Sequence, residues 1–194
     1  MAKKSASLVI ATPVEWVNAV LADFDSFLAD HANCERKANA LIMSLIVRYP
    51  DRVTIIPQLI ELALEELEHF GQTYAFMEKR GLILTKDTPD PYVNELIAAA
   101  RHGRDERFID RMLISSLVET RGAERFKILA ENLDDPELRS FYEMLWKSEV
   151  KHSHVFVHLL LQEFPEDDVI PRLAELAQLE SDIMQRMALR PALH

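Results

Sequence analysis

Two short motifs in the sequence place a histidine three positions after a glutamate. They are Glu66–His69 and Glu149–His152. Residues three apart in an α-helix lie about 60° apart on one face, so the carboxylate and the imidazole of each motif can bind one metal ion. A single motif is weak support for a metal site, because acidic helices contain such pairs by chance. The second copy makes chance a poor explanation.

A further glutamate precedes each motif at nearly the same distance. Glu35 lies 31 residues before Glu66, and Glu119 lies 30 residues before Glu149. This order of glutamates and Glu-x-x-His motifs is the ligand pattern of ferritin-like di-iron and di-manganese bundles. Carboxylate and imidazole donors suit iron or manganese, whereas structural zinc prefers cysteine. The sequence therefore predicts a site for two metal ions with six ligands: Glu35, Glu66, His69, Glu119, Glu149 and His152.

Long amphipathic helices must position these ligands. Each predicted ligand lies on the apolar stripe of its helix, where a glutamate is costly to bury unless it is paired or bound to a metal. This placement favours a metal site over surface polarity. The four long helices are expected from 23 or 25 to about 49, from 54 or 57 to 80, from 104 to 132, and from 134–136 to about 164.

Shorter helices complete the predicted architecture. We expect one that begins at 12–13, one from 92 to about 102, and a last one capped by Asp167 or Asp168 that ends near 189 and is followed by a frayed tail. Only four glycines, nearly half apolar residues and no period-two pattern favour an all-helical chain. The predicted fold is all-α, a ferritin-like four-helix bundle with short extra helices, in a single domain over 1–194.

Composition and charge narrow the classes of function. No run of 18 uncharged apolar residues is present, so we expect no membrane span. The single cysteine, Cys34, suits a reducing compartment, and we expect a cytoplasmic protein. With 22 basic and 32 acidic residues the formal net charge is −10, which counts against nucleic-acid binding by bulk electrostatic attraction.

Several residues near the predicted ligands leave two interpretations open. His31, one turn before Glu35, either supports the metal site or packs as an ordinary core histidine. Tyr74 and Tyr142 are expected to pack in the core. The densest basic run, which either contacts RNA or provides ordinary helix-terminal cations, consists of Arg101, His102, Arg104, Arg107 and Arg111.

Several segments outside the Glu-x-x-His motifs are similar to those of a known family, and the two that begin at Glu35 and Asp90 are much more specific than the motifs. They include Thr12-Pro13-Val14-Glu15-Trp16, Glu35-Arg36-Lys37-Ala38, Tyr49-Pro50-Asp51-Arg52, Asp90-Pro91-Tyr92-Val93-Asn94 and Glu119-Thr120-Arg121-Gly122. With these segments the sequence resembles the bacterial tRNA-(2-methylthio-N6-isopentenyladenosine) hydroxylases over nearly its whole length.

The resemblance implies a non-haem di-iron monooxygenase. Such an enzyme uses O2 and an external electron donor, whose identity the sequence does not give, to hydroxylate the isopentenyl group of a hypermodified adenosine in the tRNA anticodon loop. By position, Glu66 and Glu149 correspond to metal-bridging carboxylates, and Glu35 and Glu119 to terminal ones. His69 and His152 then provide one imidazole for each iron. These roles are implied by the resemblance.

Two other functions fit the same ligands. A rubrerythrin-like peroxidase or oxidase is less favoured, because the chain lacks the paired Cys-x-x-Cys motifs of a rubredoxin-like site. A ferritin-like iron-binding protein is mildly disfavoured, because a ferritin forms a closed shell and this chain has an extra segment, 82–102, between its two halves.

Overall fold

The computed structural model describes residues 5–86 and 88–194, and within these ranges the chain is helical with no strand. The all-helical prediction is confirmed. None of the helices in the described ranges is both long and apolar enough to cross a membrane. The helices are α1 (Val14–Ala22), α2 (Phe24–Arg48), α3 (Ile56–Lys79), α4 (Pro91–Ala98), α5 (Arg104–Asn132), α6 (Pro136–Glu163) and α7 (Glu166–Arg186).

The chain forms two compact units. The α2–α3 unit contains Asn18–Thr88 and Arg190–Leu193. The α5–α6 unit contains the N-terminal segment to Val17, Pro89–Leu189 and His194. The prediction of a single domain over 1–194 stays a prediction.

In the α2–α3 unit, local signals set the ends of the helices as the sequence predicts. The side chain of Asp23 accepts a hydrogen bond from the backbone N–H of Ser26 and caps α2. Beyond α3, Gly81 adopts a φ of 70°, a left-handed conformation that glycine reaches without strain. The two helices pack on one another through a core in which Leu28, Ala32 and Met77 are buried.

In the α5–α6 unit, α5 packs along α6, and α4 and α7 pack against α5 and each other. The carboxylate of Asp135 caps α6 by accepting hydrogen bonds from the N–H groups of Glu137 and Leu138. The hydroxyl of Ser116 donates to the backbone carbonyl of Ser153 over 2.6 Å. This contact requires a close approach of the two helices, which small side chains permit.

Two predicted helix boundaries in this unit are wrong. Helix α4 ends at Ala98 and not near 102, because the N–H of Arg101 donates to the carboxylate of Asp110 over 2.8 Å and is not available to a helical carbonyl. Helix α7 begins at Glu166, directly after Pro165. Its acidic residues at 167 and 168 lie inside the first turn, where negative charge is favourable, and do not cap the helix.

The prediction of a frayed C-terminal tail is also wrong. Within the α2–α3 unit, the backbone N–H of Leu193 donates to the carboxylate of Asp30 over 2.8 Å. Within the α5–α6 unit, the ring of His194 stacks on Tyr92, with ring centroids 5.2 Å apart and an interplanar angle of 4°. His194 is 6% exposed. Specific contacts therefore order the last residues of the chain.

A buried ionic cluster, the Arg121 cluster, joins α5 to α7 and α4. The guanidinium of Arg121 donates to both carboxylate oxygens of Glu180, over 2.9 and 3.0 Å, and both side chains are fully buried. The hydroxyl of Tyr92 donates to the same carboxylate over 3.1 Å. Arg121 also contacts Glu124 over 2.6 Å and the carbonyl of Ile10 over 3.0 Å, which anchors the N-terminal segment.

Burial and charge shift the pKa values in the Arg121 cluster. Burial lowers the pKa of Arg121, but the hydrogen bonds and charge of Glu180 more than offset this, so that its pKa lies above the ordinary value. Burial and the nearby Glu180 raise the pKa of Tyr92 well above its usual value. Burial and the charge of Arg121 lower the pKa of the neighbouring Arg125 to about 10. Arg125 lies over the ring of Trp16, 5.0 Å from its centroid.

Candidate metal centre

Three of the predicted ligands come together inside the α2–α3 unit. Helix α2 provides Glu35, and one face of α3 provides Glu66 and His69; the three residues are 4%, 1% and 4% exposed. The Nδ1 atom of His69 lies 3.8 Å from Oε2 of Glu35 and also 3.8 Å from Oε2 of Glu66. The helical spacing and the packing of α2 on α3 thus bring three donor atoms together in a water-poor interior.

The spacing of these donors fits a metal ion. Divalent metals bind carboxylate oxygen and imidazole nitrogen at about 2.0–2.2 Å, so two donors to one ion lie about 3 to 4 Å apart. Both 3.8 Å separations fall within that range. Two buried carboxylates in one place also repel each other, and a divalent cation removes that repulsion. The α2–α3 unit therefore contains a buried Glu/His cluster of metal-binding type.

A second buried histidine, His31, contacts this cluster. The Nε2 atom of His31 lies 2.6 Å from Oε1 of Glu35, and His31 is fully buried beside the ring of Phe27. One turn further along α2, the side-chain amide of Asn39 donates to the carbonyl of Ala63 over 2.6 Å and ties α2 to α3. His31 therefore contacts a predicted ligand, whereas its role in supporting a metal site stays a prediction.

In the α5–α6 unit, the second Glu-x-x-His motif is buried in the same way. Glu149 and His152 are 2% and 0% exposed, and Nδ1 of His152 lies 3.1 Å from Oε2 of Glu149. The hydroxyl of Ser148 lies 3.5 Å from Nε2 of the same imidazole. Glu119 is half-buried on α5. The assignment of the six residues as metal ligands stays a prediction.

Open space lies near Glu119. Gly122 is buried, yet a Cβ atom added there would meet nothing within 4 Å. Ser115 and Ser116, on the preceding turn of α5, are also buried. The small side chains near Glu119 therefore leave an unfilled space beside Gly122.

The two tyrosines near the motifs pack as the sequence predicts. Tyr142 is fully buried, with its ring centroid 5.5 Å from that of Phe126 and 5.0 Å from that of Phe141. Tyr74 is partly buried against the core of the α2–α3 unit, and its ring centroid lies 6.0 Å from that of Phe70. Aromatic packing explains both positions.

One member of the basic run, Arg101, precedes α5 and binds a buried carboxylate. Asp110 is fully buried and accepts hydrogen bonds from Arg101 and from Arg172, over 2.8 and 2.9 Å. Burial raises the pKa of Asp110, but these hydrogen bonds outweigh burial and hold its pKa below the usual value. Arg104 is exposed and lies 3.8 Å from Asp105. Contact of this run with RNA stays a prediction.

Comparison with known proteins identifies relatives along the whole chain. A family model described as tRNA-(MS[2]IO[6]A)-hydroxylase (MiaE) matches residues 1–194. A tRNA 2-(methylsulfanyl)-N(6)-isopentenyladenosine(37) hydroxylase from Pseudomonas putida is 34% identical over 175 residues, which cover 88% of this chain and 85% of that protein. A protein of the same name from Salmonella typhimurium is 30% identical over 130 residues, which cover 67% of this chain and 47% of that protein.

A solved structure supports the fold. It is described as protein 43 with aldehyde deformylating oxygenase activity from Synechococcus. The sequences are 34% identical, the TM-score is 0.91, and the match covers 96% of this chain and 94% of that one. The predicted fold class, a ferritin-like four-helix bundle with short extra helices, is confirmed.

Proposed function

Because the chain belongs to the MiaE family of tRNA hydroxylases, we propose that it is a non-haem di-iron monooxygenase. It hydroxylates the isopentenyl group of a hypermodified adenosine next to the anticodon of tRNA. The family match over 1–194 supports the reaction and the class of substrate. The observation that carries the metal chemistry is the convergence of Glu35, Glu66 and His69, with His69 at 3.8 Å from both carboxylates.

The six predicted ligands would hold two iron ions. Bound iron would supply the electrons and the Lewis acidity that activate O2 for attack on a C–H bond. In the overall reaction, one oxygen atom of O2 enters that bond. The other is reduced to water with two protons and two electrons, which an external donor must provide. The ligands under this proposal are Glu35, Glu66, His69, Glu119, Glu149 and His152.

The protein's own side chains prepare the site before any reaction. Burial of Glu66 and His69 keeps bulk water away from the donors, so that oxidising equivalents are not lost to solvent. The fixed distances within the Glu35–Glu66–His69 cluster keep the ligands close to the geometry that a metal requires. An isopentenyl group is apolar and needs an apolar place to bind. The open space at Gly122, next to Glu119, is our candidate for that place.

The substrate must reach the site from a structured RNA. Enzymes that modify a base generally take it out of its stack into a pocket. The protein carries a formal net charge of −10, so local basic groups must contact the anticodon loop. The exposed part of the α5 basic run, which includes Arg104, is our candidate for this contact.

The test is an analysis of tRNA nucleosides from cells that lack this protein. We expect such cells to accumulate the unhydroxylated isopentenyl nucleoside. The wild-type gene should restore the hydroxylated form, and a Glu66→Ala variant should not. A rubrerythrin-like peroxidase or a ferritin-like iron-binding protein predicts no change in tRNA nucleosides. Unchanged nucleosides in the deletion would therefore refute the proposed function.

A further inference from the structure

The two oxygens of the Glu35 carboxylate face different partners. Oε1 lies 2.6 Å from Nε2 of His31, and Oε2 lies 3.8 Å from Nδ1 of His69. When Glu35 is ionised, as a metal ligand must be, its carboxylate has no proton to donate, so Nε2 of His31 carries the hydrogen and donates it. In this arrangement Oε1 faces His31, and Oε2 faces the same Nδ1 atom of His69 that Oε2 of Glu66 also faces.

The hydrogen bond between His31 and Glu35 is well protected. His31 is fully buried and Glu35 is 4% exposed, so water does not compete for either group. Both residues are on α2, one turn apart, and the ring of His31 packs beside Phe27, with centroids 5.9 Å apart. A hydrogen bond to an ionised carboxylate is among the stronger ones. The contact therefore fixes how the carboxylate is rotated about its side chain.

We propose that His31 is a positioning residue that makes Glu35 a ligand through one oxygen only. This inference rests on the proposed function, because it takes Glu35 as an iron ligand. His31 holds Oε1 and leaves Oε2 for the metal. Without that hydrogen bond the carboxylate is free to rotate, to bind through both oxygens or to turn away from the ion. Partners that orient metal ligands typically change metal affinity by about 10- to 100-fold when they are removed.

A matched pair of substitutions separates this role from ordinary packing. The side-chain nitrogen of glutamine reaches about as far as Nε2 of histidine, whereas asparagine carries the same amide on a shorter stem. His31→Gln therefore keeps a donor near Oε1 of Glu35, and His31→Asn withdraws it. Both variants place a neutral amide in the same buried position, so their effects on packing and polarity are similar.

Anaerobic titration with ferrous iron measures the effect without any turnover. We expect the wild type to bind two iron ions, His31→Asn to bind one of them about 10- to 100-fold more weakly, and His31→Gln to recover most of that loss. Equal affinity of His31→Asn and wild type would overturn the inference. So would equal losses in both variants, because that pattern indicates that His31 is itself a ligand or acts only through packing.

A crystal structure of the iron-loaded wild type provides an independent readout that does not depend on how the variants fold. We expect Oε2 of Glu35 on iron and Oε1 on Nε2 of His31. A Glu35 that chelates through both oxygens would overturn the inference while leaving the proposed function intact. If the wild type binds no iron at these residues, the proposed function itself fails, so the two failures are distinguishable.

Discussion

Removal of one partner from the buried ion pair between Arg121 and Glu180 should strongly destabilise the α5–α6 unit. Both side chains are fully buried, and two hydrogen bonds of 2.9 and 3.0 Å join them. Arg121→Met removes the cation and leaves the Glu180 carboxylate in the interior with the Tyr92 hydroxyl as a remaining donor. Removing one partner of a buried pair typically destabilises a protein by about 3–5 kcal/mol, because an uncompensated charge stays behind.

The two single substitutions should not be equal. Glu180→Leu leaves Arg121 in contact with Glu124 at 2.6 Å, so the cation keeps a counter-charge. We therefore expect Arg121→Met to cost more than Glu180→Leu. Replacing both residues removes both buried charges. The loss of unfolding free energy in the double variant should therefore be smaller than the sum of the two single losses by roughly 0.5–3 kcal/mol.

Denaturant unfolding of the metal-free protein, followed by circular dichroism, measures these differences. In a thermal melt of a chain of 194 residues, a loss of about 3–5 kcal/mol in unfolding free energy corresponds to a drop in Tm of roughly 6–20 °C. Lys127→Met is the matched control, because Lys127 makes an exposed ion pair with Glu131 at 3.9 Å, which contributes about 0–1 kcal/mol. An Arg121→Met variant no less stable than Lys127→Met would refute the reasoning.

Three further results are expected. Because hydrogen bonds hold the pKa of Asp110 below its usual value, its ionised form stabilises the fold above about pH 4 and loses that effect as the pH falls through the folded pKa. Asp110→Asn should therefore be less stable than wild type at neutral pH, with a gap that narrows in acid unfolding experiments. Metal-free protein should melt below the iron-loaded form at neutral pH, and the gap should shrink at mildly acid pH, where protons compete for the ligands; equal melting would argue against a buried site. Replacing Arg104 and Arg107 with alanine should weaken tRNA binding and flatten its salt dependence; an unchanged salt slope would exclude these residues as the RNA contact.

Local signals in the sequence predict much of this protein. The prediction of a metal site follows from the repeated spacing of Glu35 and Glu66 and of Glu119 and Glu149. It requires only the geometry of a helix and the cost of burying a carboxylate. Asp23 and Asp135 lie where the sequence predicts the starts of two long helices, and they cap these helices, because capping depends on the nearest few residues. Gly81 likewise ends α3 through its own backbone conformation.

Contacts between distant residues are the part that the sequence does not reveal. Arg121 and Glu180 are 59 positions apart, and nothing in the spacing of either residue indicates the other. The tail is ordered by a hydrogen bond from Leu193 to Asp30, 163 positions away, so its position at the end of the sequence gives the wrong expectation. For His31, position on an apolar stripe is compatible with packing or with support of a ligand. The packed structure adds the contact between His31 and Glu35.

The most direct test of the central claim follows oxygen from dioxygen into the nucleoside. Purified iron-loaded protein is given tRNA that carries the isopentenyl nucleoside, a chemical reductant and O2 labelled with heavy oxygen. The tRNA is then digested to nucleosides, and their masses are measured by mass spectrometry. If the reaction is a monooxygenation at the proposed ligands, which include Glu35 and Glu66, the product carries one heavy oxygen atom on the isopentenyl group. The Glu66→Ala variant then gives no product. Product that carries only oxygen from water, or labelled product at full yield with Glu66→Ala, would contradict the account.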